Sequence, residues 1–106
     1  MRRGEIYWAD LGALAGRRPV VILTRTVAIP VLDNIVVVPI TSTVRGIASE
    51  VALGLDEGVR EGWTANCDSL ATIPKTQLDG EPLGALDISR IPELNRALRF
   101  SLEILY

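Results

Sequence analysis

The chain has 106 residues, 48% of them hydrophobic but only 5% aromatic, so it reads as one domain with a core of Val, Ile and Leu. It has no histidine, which excludes Ser-His-Asp and Cys-His catalysis and any histidine metal site, and its net charge of −2 argues against a uniformly basic nucleic-acid binder. The single cysteine, Cys67, rules out an internal disulfide and fits a reducing cytoplasm, and no apolar run reaches the roughly 18–20 residues of a membrane span.

In chain order, the basic start "MRRGEIYWAD" has no apolar stretch behind it and does not read as a signal peptide. Residues 5–11, "EIYWADL", form a short strand of β-favouring residues. "PVVILTR" (19–25) and "NIVVVPITS" (34–42) are continuous β-branched runs of strand length. Pro39 within the second calls for an edge position, a bulge or a strand end. "SEVALGL" (49–55) alternates as a further strand, "LDEGVREG" (55–62) is a turn-rich loop and "WTANCDS" (63–69) another strand. "LATIPKTQLDG" (70–80) is too interrupted for a long element and reads as one helical turn near Pro74–Leu78. "EPLGALD" (81–87) is a last strand. Ile91, Leu94, Leu98, Leu102 and Leu105 then share one face of a helix that Asp87 or Ser89 caps and Pro92 opens. The elements describe a mainly β protein: a small, bent barrel of five to seven short strands with a C-terminal helix. Strands apolar on both faces need two covers, the helix on one and a second subunit on the other.

The charge is uneven. Arg2, Arg3, Arg17, Arg18, Arg25 and Arg45 face only Glu5, Asp10 and Asp33 in residues 1–49, and the remaining five basic and ten acidic residues fall in 50–106. No phosphate-binding glycine loop is present. The acids Asp56, Glu57 and Glu61 are too sparse for a cation loop and read as solvated. Cys67, placed mid-strand between Asn66 and Asp68, reads as a small buried apolar residue. What remains is a chemistry of arginines and hydroxyls. Arg17 and Arg18 precede one strand, Thr41, Ser42 and Thr43 close the next, and Arg45 follows. If the two strands are hairpin neighbours, an arginine fork and a hydroxyl converge on one phosphate. The alternative is that Arg18 pairs with an acid such as Asp68 while Thr41 satisfies a strand end.

The ordered set "RRGEIYWADL", "GRRPVVIL", "VVVPITS", "CDSLATIPKTQL", "LGAL" and a terminal amphipathic helix resembles the MazF/PemK family of toxin endoribonucleases over essentially the whole chain. The resemblance implies a single domain over residues 1–106, an SH3-like barrel of the CcdB/PemK type, a homodimer and a cognate antitoxin. It also implies cleavage of RNA at short sequences without metal or other cofactor. Matched motif to motif, the family's arginine falls on Arg18, its strand-end threonine on Thr41 with Ser42 beside it, and its aspartate on Asp68. The loop before Arg17 is shorter than the family's, reduced to "GALAG" (12–16), and Ala71 stands where many relatives carry an arginine.

On this reading the 2′-OH of single-stranded RNA attacks its own phosphate, leaving 2′,3′-cyclic phosphate and 5′-OH ends. Arg18 stabilises the phosphorane and Thr41 aligns it, while Asp68 is the nearest candidate base. Arg17, Arg25, Ser42, Thr43 and Arg45 hold the flanking RNA. Tyr7 and Trp8 read as core aromatics, with stacking on a base as the other assignment. Two rival readings stand beside this one: a CcdB-like toxin that poisons a protein such as DNA gyrase, and an inert SH3-like binding module.

Overall fold

Asn34–Thr41 is the longest strand of the protein and the one on which the others hang. The computed structural model describes residues 1–105. Seven strands, β1 (Glu5–Asp10), β2 (Arg17–Ile22), β3 (Asn34–Thr41), β4 (Glu50–Leu53), β5 (Trp63–Asn66), β6 (Ala71–Pro74) and β7 (Gly84–Ala85), precede one helix, α1 (Ile91–Ser101). They form one antiparallel sheet in the order β4-β5-β3-β2-β1-β7, with β6 also on β3. The sheet curls into a half-barrel because β3 changes partner along its length. Residues 34–37 pair with β6 and residues 40–41 with β5, while Val37, Val38 and Pro39 keep their partners on β2.

Pro39 is therefore neither at an edge nor at a strand end. It sits in the gap where β3 passes from β6 to β5, so no neighbour on that side needs the N–H it lacks. The arginine strand also begins earlier than the apolar run implies. Arg17 and Arg18 lie inside β2, paired with Asp10 and Ala9 of β1, and the strand stops at Ile22. The stretch 70–80 holds a strand, β6, before the expected turn, which is a 3-10 turn at Lys75–Gln77. Residues 81–87 contribute only the two-residue β7, and β5 ends at Asn66, so Cys67 lies just beyond it.

Alternation sends the apolar residues of β1–β3 to two cores. Ile6, Val21, Val38 and Ile40 pack with Leu94 and Ala97 of α1, and with Val51 and Ala65. Tyr7, Val20, Ile22, Ile35 and Val37 pack on the other face against Ile29 and Ile73. Among the described residues, that second face is covered from within the chain, by the segment after β2 and by β6, rather than left for a second subunit. Tyr7 is a core residue.

The helix begins as its sequence predicts and ends sooner. Asp87 accepts from the Ser89 N–H and opens a 3-10 turn at Ile88–Arg90, after which Pro92 fits the first helical turn. Ile91, Leu94 and Leu98 face the core, but Leu102 and Leu105 lie past the helix and are exposed. The chain turns off at Glu103, whose φ is 56°. The Ile104 N–H donates to Arg99 O at 2.8 Å and the Glu103 N–H to Phe100 O at 3.3 Å, the two bonds of a Schellman ending.

The loop between β4 and β5 is not simply solvated. Glu57 is only 6% exposed, accepts the Gly54 N–H at 2.7 Å and pairs with Arg90 at 3.3 Å. Arg90 also donates to Ala52 O and to Glu93, tying loop, β4 and helix together. Gly58 and Gly84 let the loop press against β7, since a side-chain carbon on either would collide with the opposite backbone carbonyl.

Candidate active site

The Leu23 N–H donates to Val36 O, which fixes the hydrogen-bond alternation between β2 and β3. It makes Val20 and Pro39 a pair without mutual hydrogen bonds, the kind whose side chains stand closest. Two residues further along the same register, Arg18 comes opposite Thr41, beyond the last paired residues. Pro19, which falls at the next hydrogen-bonding position of this register and has no N–H to give β3, keeps backbone bonds from closing this end. The strands therefore open into a cleft at the point where Arg18 and Thr41 meet.

Two clefts of about 300 and 310 Å³ are each lined by both residues. The first adds Trp8, Arg17, Ser42, Thr43 and Trp63, and the second adds Pro39, Thr43, Arg45, Asn66 and Ser69. A third, of about 430 Å³, continues past Arg18 along Leu11, Ser69, Ala71 and Thr72. Arg18 is the junction of all three.

Local bonds aim these groups. The Arg18 Nε–H donates to Ala15 O at 3.1 Å, and no acid pairs with Arg18 among the described residues. The loop before β2 thus anchors the inner end of the guanidinium and leaves its two terminal nitrogens for a ligand. Thr41 Oγ1 accepts the Thr43 N–H at 3.1 Å, so its own hydroxyl proton is free to be donated. Glu50 accepts the backbone N–H groups of Arg45 and Gly46, folding the 42–49 loop so that Arg45 flanks the cleft.

Six of the sequence-derived site residues, Arg17, Arg18, Thr41, Ser42, Thr43 and Arg45, thus come together. Arg17 arrives already engaged: it pairs with Asp79 and lies 5.8 Å from the Trp8 ring centre. Two do not join them. Arg25 lies beyond the far end of β2, before the 3-10 turn Thr26–Ala28. Asp68 lines none of the three clefts; its carboxylate accepts from Ser49 Oγ at 2.6 Å. The Ser49 and Ser101 hydroxyls and the Arg45 charge hold Asp68 below the usual carboxylate range, which weakens it as a base.

Trp63, Asn66, Ser69 and the two prolines line the clefts without having been singled out from the sequence. Trp63 had a signal: a second tryptophan, directly after Arg60-Glu61-Gly62, in a chain nearly free of aromatics. Cys67 is 1% exposed, and burial followed by the charge of Asp68 pushes its thiol up to about 11. It is an inert core thiol. Among the described residues no three His, Cys, Asp or Glu side chains gather as a metal site, and no helix is long and apolar enough to cross a membrane.

The chain is 44% identical over 81 residues to endoribonuclease MazF3 of Mycobacterium tuberculosis, covering 76% of this chain and 78% of that protein. It is 39% identical over 103 residues to the probable endoribonuclease MazF5 of the same organism, covering 95% and 92%. The solved Mycobacterium tuberculosis toxin MazF-mt6 superposes with a TM-score of 0.88 at 38% identity, over 96% of this chain and 99% of that one. A mycobacterial endoribonuclease solved with its cognate antitoxin superposes at 0.87 with 28% identity, over 100% and 98%. Residues 2–102 match the family described as PemK-like, MazF-like toxin of type II toxin-antitoxin system, and the chain belongs to that family.

Proposed function

We propose that the protein is an endoribonuclease toxin that cleaves single-stranded RNA at short sequences and is neutralised by a cognate antitoxin. The observation that carries the reading is the pairing of an arginine fork without an acid partner and a threonine hydroxyl with a free proton in one cleft. The family membership and the endoribonuclease relatives support it.

The 2′-OH of the nucleotide before the scissile bond attacks the adjacent phosphorus, and the 5′-oxygen leaves. Products are a 2′,3′-cyclic phosphate and a 5′-OH. Arg18 donates through its two terminal nitrogens to the non-bridging oxygens as negative charge builds, and Thr41 donates to one of them and holds the phosphate in line. Arg45, Ser42 and Thr43 hold flanking RNA. Asp68, whose carboxylate is engaged by Ser49, is not the base that takes the 2′-OH proton. The proposed reaction uses no metal or cofactor.

The cognate antitoxin binds across the same basic clefts, and the active species is a homodimer in the cytoplasm. The exposed apolar residues Phe100, Leu102, Ile104 and Leu105 at the end of α1 are the surface that supports self-association.

The deciding experiment incubates the purified protein with defined single-stranded RNA in excess EDTA and identifies the new ends. Cyclic phosphate and 5′-OH termini are expected, at unchanged rate in the chelator. Intact RNA, or cleavage restored only by a divalent ion, overturns the reading; gyrase inhibition without cleavage would favour a CcdB-like toxin.

A further inference from the structure

A larger hollow of about 670 Å³ adjoins the cleft beside Arg18, with Trp8, Pro19 and Trp63 lining both. The two indoles thus form the wall between the two spaces. Beyond them the hollow is lined by Leu55, Val59, Leu83 and, as its one charged side chain, Arg60. Its walls are mostly apolar, unlike the hydroxyl-rich cleft next door.

Both indoles are held in place. Trp8 is braced by the Arg17 guanidinium, which Asp79 fixes in turn. Trp63 stands at the first position of β5, half-buried against the core around α1. The loop carrying Leu55, Val59 and Arg60 is pinned by Glu57 to Arg90 and by Gly58 against the β7 backbone. A pocket held this way binds a flat apolar group without first having to order its walls.

We propose that this hollow is a nucleobase subsite: an unstacked base of single-stranded RNA, next to the scissile phosphate, stacks on Trp8 and Trp63 while Arg60 takes the phosphate that follows. The proposal rests on the ribonuclease reading and extends it. The lining shared with the Arg18–Thr41 cleft favours RNA as the occupant. A chain whose phosphate sits on Arg18 must send its neighbouring base to one side, and on this side the wall is aromatic. Stacking tolerates any base, so the subsite adds affinity and fixes register rather than reading sequence.

The test is steady-state cleavage of a short RNA by wild type, Trp63→Ala, Trp63→Phe and Arg60→Ala, with circular dichroism on each. The same series is run on RNAs made abasic at single positions around the cleaved bond. Wild-type cleavage is the control for the proposed function, and its absence would sink both readings together. Given cleavage, Trp63→Ala should raise KM about 10-fold or more with kcat little changed, and Trp63→Phe should recover most of the loss. One abasic position should impose the same penalty on wild type and none further on Trp63→Ala. Arg60→Ala should reduce the slope of log KM against log salt by about 0.7. Three results would overturn the subsite: an unchanged KM in Trp63→Ala, an equal penalty from Trp63→Ala on every abasic RNA, or a change of oligomeric state in sedimentation. The last would make the hollow a contact between two copies of the chain.

Discussion

Arg18 and Thr41 face the same two clefts from adjacent antiparallel strands, and among the described residues each spends only part of its functional group on a protein partner. Arg18 gives up only its Nε–H, to Ala15 O, and Thr41 uses only its oxygen, to the Thr43 N–H. What is left over is two terminal guanidinium nitrogens and one hydroxyl proton, a donor set for a phosphate oxygen. A lysine at position 18 would keep the charge but lose the fork. We therefore expect Arg18→Lys and Arg18→Ala both to lose most cleavage, about 10²-fold or more for alanine, with folding intact. Thr41→Val should lose activity while leaving RNA affinity nearly unchanged. Single-turnover cleavage of a short RNA decides it, and a wild-type rate in Arg18→Lys would remove the fork from the mechanism.

Arg17 and Arg45 should behave differently from Arg18, and from each other. Arg45 has no acid partner among the described residues, so Arg45→Ala should weaken RNA binding several-fold and flatten its salt dependence. Arg17 is already paired with Asp79, so Asp79→Asn, which frees that charge, should tighten binding at low salt. Titration of a non-cleavable RNA at several salt concentrations measures both. Unchanged affinity in Arg45→Ala would take that residue out of the RNA path.

The strand positions and the Arg18–Thr41 pair were legible because β-branched runs and strand-end residues leave local signals. "PVVIL" and "VVVPI" mark β2 and β3, and a register needs only their approximate ends. Asp68 was misleading for the opposite reason: its neighbours in sequence are cleft residues, but its carboxylate answers to Ser49, nineteen residues away. Strand β6 has four residues and one fully buried side chain, Ile73, too little periodicity to separate from a turn. Glu57 could not be told from its exposed neighbours Asp56 and Glu61, because its burial depends on Arg90 and on the glycine contact with β7.

That contact makes the β4–β5 loop sensitive to small changes. Arg90→Ala takes the cation from the buried Glu57 carboxylate, which should cost about 2–3 kcal/mol. Glu57→Gln should cost less, since the amide oxygen still accepts the Gly54 N–H. Gly84→Ala forces a methyl into the Glu57 carbonyl and should be at least as damaging as Arg90→Ala. Urea denaturation orders the three, and an Arg90→Ala protein as stable as wild type would mean the ion pair contributes nothing.

Cys67 sets an alkaline limit. Its thiol is raised from 9.0 to about 11 by burial and by Asp68, so the folded protein holds the proton more tightly than the unfolded chain. The stabilisation is fully present below about pH 9 and is lost as pH rises from 9 to 11, about 2–3 kcal/mol in all. Cys67→Ala should flatten the decline over that range even if it lowers stability at neutral pH. Denaturation midpoints at pH 7, 9 and 10.5 check this. Equal pH slopes in the two proteins would show that the thiolate is not what limits alkaline stability.

Glu103 should be improvable. It occupies the left-handed position of the Schellman ending with φ 56°, where a side chain is strained and glycine is not. Its carboxylate also sits at the negative end of the α1 dipole. Against this, glycine frees the unfolded chain, which offsets part of the gain. The strain and the charge together outweigh that term, so Glu103→Gly should stabilise by up to about 1 kcal/mol. Glu103→Val, whose branched side chain fits that backbone poorly, should destabilise by a similar amount. Glu103 lies among Phe100, Leu102, Ile104 and Leu105, so sedimentation of both variants separates a change in stability from a change in self-association. Thermal unfolding of the pair gives the answer, and a Glu103→Gly protein less stable than wild type would mean that Glu103 contributes a contact that outweighs its strain.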